Sequence, residues 1–394
     1  MYIDMDYRSL NHAGEELCGD MVEMVITDHA HILILADGMG SGVKANILAS
    51  LTSRILATMF REGASIDECL ETILATLPIC QERHVAYCTF TVLQVNDDNT
   101  AYLVEYENPD TILIRDGEIT ELERTKRTIE GKEIQETRFT VQDEDVFVIM
   151  SDGCLYASSG LKLNMNWDRD RLAKIAKTSS RLSPYSKRIA FDIVQACDDQ
   201  YWGQPGDDTT AAVMRISTPH TLKLMTGPPV HKEDDEAIVN YLMADDEAGR
   251  DCTRIVCGGT SAKIVSRILR KPIESVKQEP DPEIPPYDSI DGIDLVTEGV
   301  LTLNKVIQML QPCVDKKLLD ESFFDELDQD NGAALIATSL FEECSHLELL
   351  VGQAINEAYE NPEISTDLAT RSHLIDKLVQ TVKALGKTVS VKYY

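Results

Sequence analysis

Four aspartate-bearing motifs recur in the first part of the chain. They are Gly19-Asp20, Ala36-Asp37-Gly38-Met39-Gly40, Ser151-Asp152-Gly153 and Gly206-Asp207-Asp208-Thr209-Thr210. Two close apolar runs, HILILAD and VFVIMSD, and one opens a run, DDTTAAVM. An aspartate at a strand end sits on the rim of a sheet, where several carboxylates can converge on one point. A glycine after it lets the backbone carbonyl turn toward the same point. Carboxylates gathered in a low-dielectric cleft repel one another and shift their pKa, and divalent cations remove that repulsion. Hard cations such as Mg²⁺ and Mn²⁺ take carboxylate, carbonyl and water oxygens. Two of them roughly 3.5–4 Å apart can share a water and clamp a phosphoryl group for in-line attack. Singly, each Asp-Gly is a turn signal; the order and context carry the chemistry.

The elements that must position these residues read as follows. MVEMVIT and HILILAD are strands joined at Asp28-His29-Ala30. Val43, Ile47, Leu51, Ile55 and Met59 recur every four residues and predict a helix with one apolar stripe. A second helix is expected at about 66–77. Strands follow at AYCTFTVLQV, TAYLVEY, TILIRDG, ETRFTV and DVFVIMS, then helices near 168–177 and 184–200, then the strand TTAAVMRIS. Long antiparallel strands with grouped helices predict two packed sheets with helices on their outer faces. Gly227-Pro228-Pro229 punctuates a break at 217–235. Beyond it, strands TLKLMT, TRIVCGG, GIDLVT, LELLVG and KTVSVKY alternate with helices near 234–244, 261–270, 300–310, 332–344 and 367–385. That alternation predicts a small α/β domain with a largely parallel sheet. The Pro- and Asp-rich segment 279–292 is expected to be a surface loop. The domains are therefore expected at 1–217 and 218–394.

The motifs in this order resemble the metal-dependent protein phosphatase family (PPM, type 2C), and ADGMGSG at 36–42 is similar to its SpoIIE-like bacterial branch. CTF at 88–90 and YENPDTILIRDGE at 106–118 match locally, and the resemblance covers about residues 1–217. It implies an α+β fold, a PPM-type β-sandwich flanked by helices, here followed by the smaller α/β domain. It implies that Asp37 and the carbonyl of Gly38 bridge two Mn²⁺ or Mg²⁺ ions. Asp152 and Asp207 would be further ligands of one metal and Asp20 of the other. Asp208 falls where many relatives carry Asn and is read as supporting them. The implied activity is protein serine/threonine phosphatase: phosphoserine or phosphothreonine is hydrolysed by a metal-bridging hydroxide with no phospho-enzyme. The implied partner is a phosphoserine-bearing bacterial regulatory protein, similar to an anti-sigma-factor antagonist. Asp37, Asp152 and Asp207 are thus the expected catalytic residues.

Two positions depart from eukaryotic members of the family. Met39 stands where those carry a general-acid His, and methionine cannot donate a proton. Positions 13–17 read AGEEL, with no phosphate-binding Arg. Both are usual in the SpoIIE-like branch. Arg8 and His12 are read as surface residues on base rates, with substrate binding as the alternative. Cys154 has no Cys-x5-Arg loop to cradle phosphate, which argues against a cysteine phosphatase.

Acidic residues number 67 against 37 basic, a net charge of −30. Such a chain repels nucleic-acid phosphates. No apolar run approaches the roughly 20 residues that span a bilayer, and MYIDMDYRSL lacks the pattern of a signal peptide. The ten cysteines, Cys18, Cys69, Cys80, Cys88, Cys154, Cys197, Cys252, Cys257, Cys313 and Cys344, show no zinc spacing. A reduced, cytoplasmic protein is expected.

In the second domain, Cys257-Gly258-Gly259-Thr260-Ser261 reads as strand, turn and helix start, with Ser or Thr as N-cap. Walker and GxGxxG patterns are missing. An anion or regulatory small molecule at this helix start is the alternative, with Val296-Thr297-Glu298-Gly299 and Gly352-Gln353-Ala354 on the same sheet edge. Two other functional readings stay open: a non-catalytic phosphoprotein scaffold, and a small phosphate-ester hydrolase governed by the second domain.

Overall fold

The computed structural model describes residues 1–76, 88–157, 167–183, 185–278, 284–315, 319–354 and 366–394, with side chains from 372 in the last stretch. Cys80 and residues 279–283 lie outside them. The chain divides into two compact units, Met1–Thr218 and Pro219–Tyr394. Among the described residues no helix is long and apolar enough to cross a membrane.

The first unit runs β1 (Tyr2–Leu10), β2 (Asp20–Ile26), β3 (Ala30–Gly38), α1 (Gly42–Arg61), α2 (Ile66–Thr76), β4 (Cys88–Asn96), β5 (Thr100–Tyr106), β6 (Ile112–Arg115), β7 (Glu118–Thr120), β8 (Thr125–Ile129), β9 (Lys132–Thr140), β10 (Val146–Met150), α3 (Asp152–Leu155), α4 (Arg169–Leu182), α5 (Ser186–Tyr201) and β11 (Thr209–Ser217). Two antiparallel sheets form, ordered β1-β11-β10-β6-β7 and β2-β3-β4-β5-β9-β8. Strand alternation explains the layers. Leu33 and Leu35 of β3 meet Phe147 and Ile149 of β10 between the sheets. Their neighbours Ile32 and Ile34 pack under α1 and α2, and Val146, Val148 and Met150 pack under α4 and α5. Strands sandwiched in this way carry apolar residues on both faces, which is why they read as continuous apolar runs. The architecture is the expected helix-flanked sandwich.

The first half of the stripe on α1 runs against expectation. Val43, Ile47 and Leu51 are exposed while the helix buries Ala45 and Ala49 there, and only Ile55 and Met59 of the stripe pack against the core. The cause is proximity. A Cβ built on Gly38 would stand 2.1 Å from the backbone oxygen of Ala45, so the helix backbone lies directly on the end of β3 and admits small residues there. Gly38→Ala is therefore expected to destabilise the first unit by about 3 kcal/mol, since overpacking against backbone cannot relax by a rotamer change. Urea unfolding of the full chain checks this, and an unchanged midpoint would contradict it.

The second unit runs β12 (Thr221–Thr226), α6 (Asp235–Met243), β13 (Thr253–Cys257), α7 (Gly259–Leu269), β14 (Glu274–Ser275), β15 (Asp288–Ile290), β16 (Ile293–Thr297), α8 (Val300–Val314), α9 (Glu321–Leu327), α10 (Gly332–Thr338), β17 (His346–Val351), α11 (Thr366–Ala384) and β18 (Thr388–Tyr393). Its sheet is ordered β14-β15-β16-β13-β12-β17-β18. The five strands from β16 to β18 in this order pair in parallel, with an antiparallel hairpin at one edge. Helices α6 and α7 share a core with Met225, Val256 and Leu350, while α8 packs with α10 and α11. The segment expected as a loop at 279–292 thus carries β15. Buried Lys223 of β12 donates to the carbonyls of Tyr241, Ala244 and Asp245 at 3.1, 2.8 and 3.3 Å. It thereby satisfies the C-terminal end of α6, where a cation is favoured.

Candidate functional site

Asp20 is the first residue of β2 and lies opposite Asp37 in the β2–β3 register. Asp152 opens α3 directly after β10. Asp207 and Asp208 precede β11. The two sheets end side by side here, so residues more than a hundred positions apart meet. Asp37, Asp152 and Asp207 line one cleft of about 700 Å³ together with His12, Met39 and Glu107. Asp20 lies behind them, 4% exposed.

Ser151 joins the two sheets at this point. Its hydroxyl donates to Asp20 Oδ2 at 2.8 Å and accepts the backbone N–H of Thr210 at 2.9 Å. Its own N–H donates to the carbonyl of Thr210 at 3.0 Å. Tyr201 donates its hydroxyl to the carbonyl of Gly153 at 2.8 Å, holding the start of α3 from below. Asp208 Oδ1 accepts the backbone N–H of His12 at 3.0 Å and so fixes the loop after β1. On the far wall, Glu105 accepts from the N–H of Thr111 and from Arg124 Nε, both at 2.6 Å. That buried pair pins the turn that carries Glu107.

The glycines beside the aspartates serve a purpose other than the expected one. Gly38 and Gly153 have ordinary φ. What they supply is space: a Cβ on Gly153 would stand 2.2 Å from the carbonyl of Asp208, and one on Gly19 would stand 2.6 Å from Asp208 Oδ2. The strand ends can approach this closely because side chains are missing. Gly40, by contrast, has φ +93°, a conformation that favours glycine, where the chain turns from β3 toward α1.

The electrostatics follow from crowding and burial. Burial, then the neighbouring carboxylates of Asp20, Asp152, Asp207 and Asp208, pushes Asp37 up to about 9. Burial pushes Asp20 up to about 7, although the hydroxyls of Thr210 and Ser151 oppose the shift. Asp152 and Asp207 are also raised by burial, Asp207 additionally by Asp152. Asp20 Oδ1 and Asp208 Oδ2 are buried with no hydrogen-bond partner. Acceptors without donors and carboxylates that repel are what a hard cation satisfies. Among the described residues, no three His, Cys, Asp or Glu side chains are gathered closely enough to enclose an ion by themselves. The donors that line and back the cleft are carboxylate oxygens, which suit Mg²⁺ or Mn²⁺ rather than a soft metal.

Sequence reasoning missed Ser151 and Glu107 and read His12 as surface. Only Ser151 had a local signal, its place between an apolar strand and a helix-opening aspartate. Arg8, the other residue weighed for substrate binding, lies over the ring of Phe191 at 5.5 Å.

The two-sheet sandwich flanked by helices is the fold of PP2C-type domains. Residues 27–217 match the family model for stage II sporulation protein E, SpoIIE. The first unit thus belongs to the SpoIIE-like branch of the metal-dependent protein phosphatases. Among solved structures, the chain is similar to the SpoIIE phosphatase domain of Bacillus subtilis solved with a fragment of its regulatory domain. There the identity is 17%, 55% of this chain and 64% of that one are covered, and the TM-score is 0.47. The chain therefore spans less than two thirds of that structure's length. For the RsbU and RsbW domains of a Mycobacterium tuberculosis protein, the identity is 16%, coverage 61% and 67%, and TM-score 0.47. For the catalytic domain of the serine/threonine phosphatase PstP, solved with two manganese ions, they are 16%, 55% and 99%, and 0.39. No curated protein matches the chain.

Proposed function

We propose that the chain is a metal-dependent protein serine/threonine phosphatase acting on a phosphoserine-bearing bacterial regulatory protein. The observation that carries this reading is the convergence of Asp37, Asp152 and Asp207 on one cleft, with Asp20 buried behind them and all four raised above ordinary carboxylate values. Asp37, the carbonyl of Gly38, Asp152, Asp207 and Asp20 would hold two Mn²⁺ or Mg²⁺ ions. When bound, such ions activate water for attack and neutralise the phosphoryl charge. The chain's own residues do the rest. Ser151 holds Asp20 in place. Asp208 holds the backbone of His12, which lines the cleft near Asp207 and would be available to hydrogen-bond the phosphoryl group. Met39 lines the same cleft and donates nothing. Residues 218–394 are a regulatory or ligand-binding domain in this reading, and buried thiols such as Cys69, Cys88, Cys154 and Cys257 suit a reducing cytoplasm.

The full chain with Mn²⁺ should release phosphate from phosphoserine proteins and lose that activity with chelator. Turnover of p-nitrophenyl phosphate but of no phosphoprotein would replace this reading with a small-ester hydrolase. Binding of phosphoprotein without turnover would replace it with a scaffold.

A further inference from the structure

The parallel strands of the second unit are ordered β16-β13-β12-β17-β18, so the order reverses between β12 and β17. Ligands of open α/β sheets collect at such a reversal, beyond the carboxyl ends of the strands. Here that crevice is filled by the chain itself. The N–H of Gly352 donates to Thr226 and that of Ala354 to Pro228. A Cβ on Gly352 would stand 2.2 Å from the carbonyl of Pro228.

The same edge is open one strand further along. Two glycine turns, after β13 and after β16, touch there, with a Cβ on Gly299 3.4 Å from the Cα of Gly258. Each turn starts a helix on a glycine N-cap with no side-chain cap, contrary to the Ser or Thr cap expected for α7. Gly258 has φ +116°. The two helix starts differ in charge. At α8 the exposed carboxylate of Glu298 accepts the N–H of Leu301 at 3.1 Å, so the chain supplies its own anion. At α7 the first turn has no acidic residue. None of the N–H groups of Gly259, Thr260 and Ser261 has an acceptor among the described residues. Ser261 adds an independent observation. It is 1% exposed and its Oγ has no partner. Helical side chains lean toward the N-terminus, and this Oγ lies 3.6 Å from where a side chain on Gly258 would begin. A buried hydroxyl without a partner costs about 1–3 kcal/mol unless something occupies the place beside it.

We infer that the start of α7 is a binding site for a phosphate group, held by the N–H groups of Gly259, Thr260 and Ser261 and by the Ser261 hydroxyl. Three convergent N–H donors match the several oxygens of a tetrahedral dianion, and the positive end of an 11-residue helix favours its charge. The site belongs to the second unit and does not depend on the activity proposed for the first.

Amide hydrogen exchange of the full chain, in chelator so that the carboxylate cleft repels anions, tests this with inorganic phosphate and with glycerol 3-phosphate. Residues 258–263 are expected to exchange more slowly in both than in chloride of equal ionic strength. Tighter binding of the ester would identify a phosphomonoester as the ligand, and equal binding free phosphate. Gly259→Asp is expected to weaken binding roughly tenfold or more by placing a carboxylate among the donors. Nothing lies within 4 Å of a Cβ there, so the fold tolerates it. Ser261→Ala is expected to weaken binding about fivefold. Exchange at 258–263 that ignores phosphate, or wild-type affinity in Gly259→Asp, would overturn the site.

Discussion

Asp37→Asn is expected to lower phosphatase turnover about a thousandfold, roughly 4 kcal/mol of lost transition-state stabilisation, while making the metal-free protein more stable. Both effects have one cause. In the proposed function Asp37 would help hold the metal ions, and a neutral amide cannot replace its charge. In the metal-free protein that same charge is a burden, because burial and four neighbouring carboxylates push the group up to about 9. At neutral pH it must take up a proton on folding, which the unfolded chain does not need. Asparagine removes that cost and can still donate a hydrogen bond to Asp152, the partner of Asp37 in the folded chain. Thermal unfolding in chelator should therefore shift up by several degrees, while Mn²⁺ binding measured calorimetrically weakens. A variant that is inactive because it is less stable would contradict the argument, and so would one that keeps turnover.

The fold was legible wherever burial was two-sided. HILILAD and VFVIMS read as strands because β3 and β10 each lie between a helix layer and the other sheet. Strand β1 was not read, although it pairs with β11 along its whole length from Tyr2 to Leu10. Only Ile3 of YIDMDYRSL is buried, and Asp4 and Asp6 interrupt the apolar alternation. On α1 the first half of the periodic stripe, Val43, Ile47 and Leu51, points outward, since the helix start needs small side chains against β3 and small residues are weak in any hydropathy pattern, whereas Ile55 and Met59 pack against the core. In the second unit alternation of strand and helix gives parallel pairing, but strand order comes from helix packing and is not local. The same limit applies at the cleft. Aspartates beside glycines at strand ends can be found by spacing, whereas Ser151 and Asp20 are partners across 131 positions. His12 comes to the cleft through Asp208, across 196. No window of sequence contains such pairs.

Between pH 6.5 and 8, the metal-free protein is expected to lose stability as pH rises, and divalent metal is expected to abolish that slope. Asp20 and Asp37 have folded-state values of about 7 and about 9, above the ordinary 3.8. In this window the unfolded chain holds neither proton and the native chain holds one to two. Stability changes with pH in proportion to protons bound unfolded minus protons bound native. The sign is therefore negative, at about 1.4 kcal/mol per pH unit for each retained proton. The contribution is fully present below the unfolded value and is lost as pH rises through the folded ones. Asp152 and Asp207 are raised too and act in the same sense. The window avoids His31, whose lowered value acts oppositely at lower pH, and the buried thiols of Cys69 and Cys88, pushed up to about 12, which matter only higher. Thermal unfolding in chelator should fall by roughly 5 °C across the window. A bound ion requires ionised carboxylates, so the metal-loaded chain has already given up those protons, and metal binding tightens as pH rises. With saturating Mn²⁺ the curve should be flat or rise. Asp37→Asn should retain only the part of the chelator slope that belongs to the other aspartates. A melting temperature indifferent to pH in chelator would mean that these carboxylates do not share one desolvated cleft, and the metal centre proposed for Asp20, Asp37, Asp152 and Asp207 would fall with it.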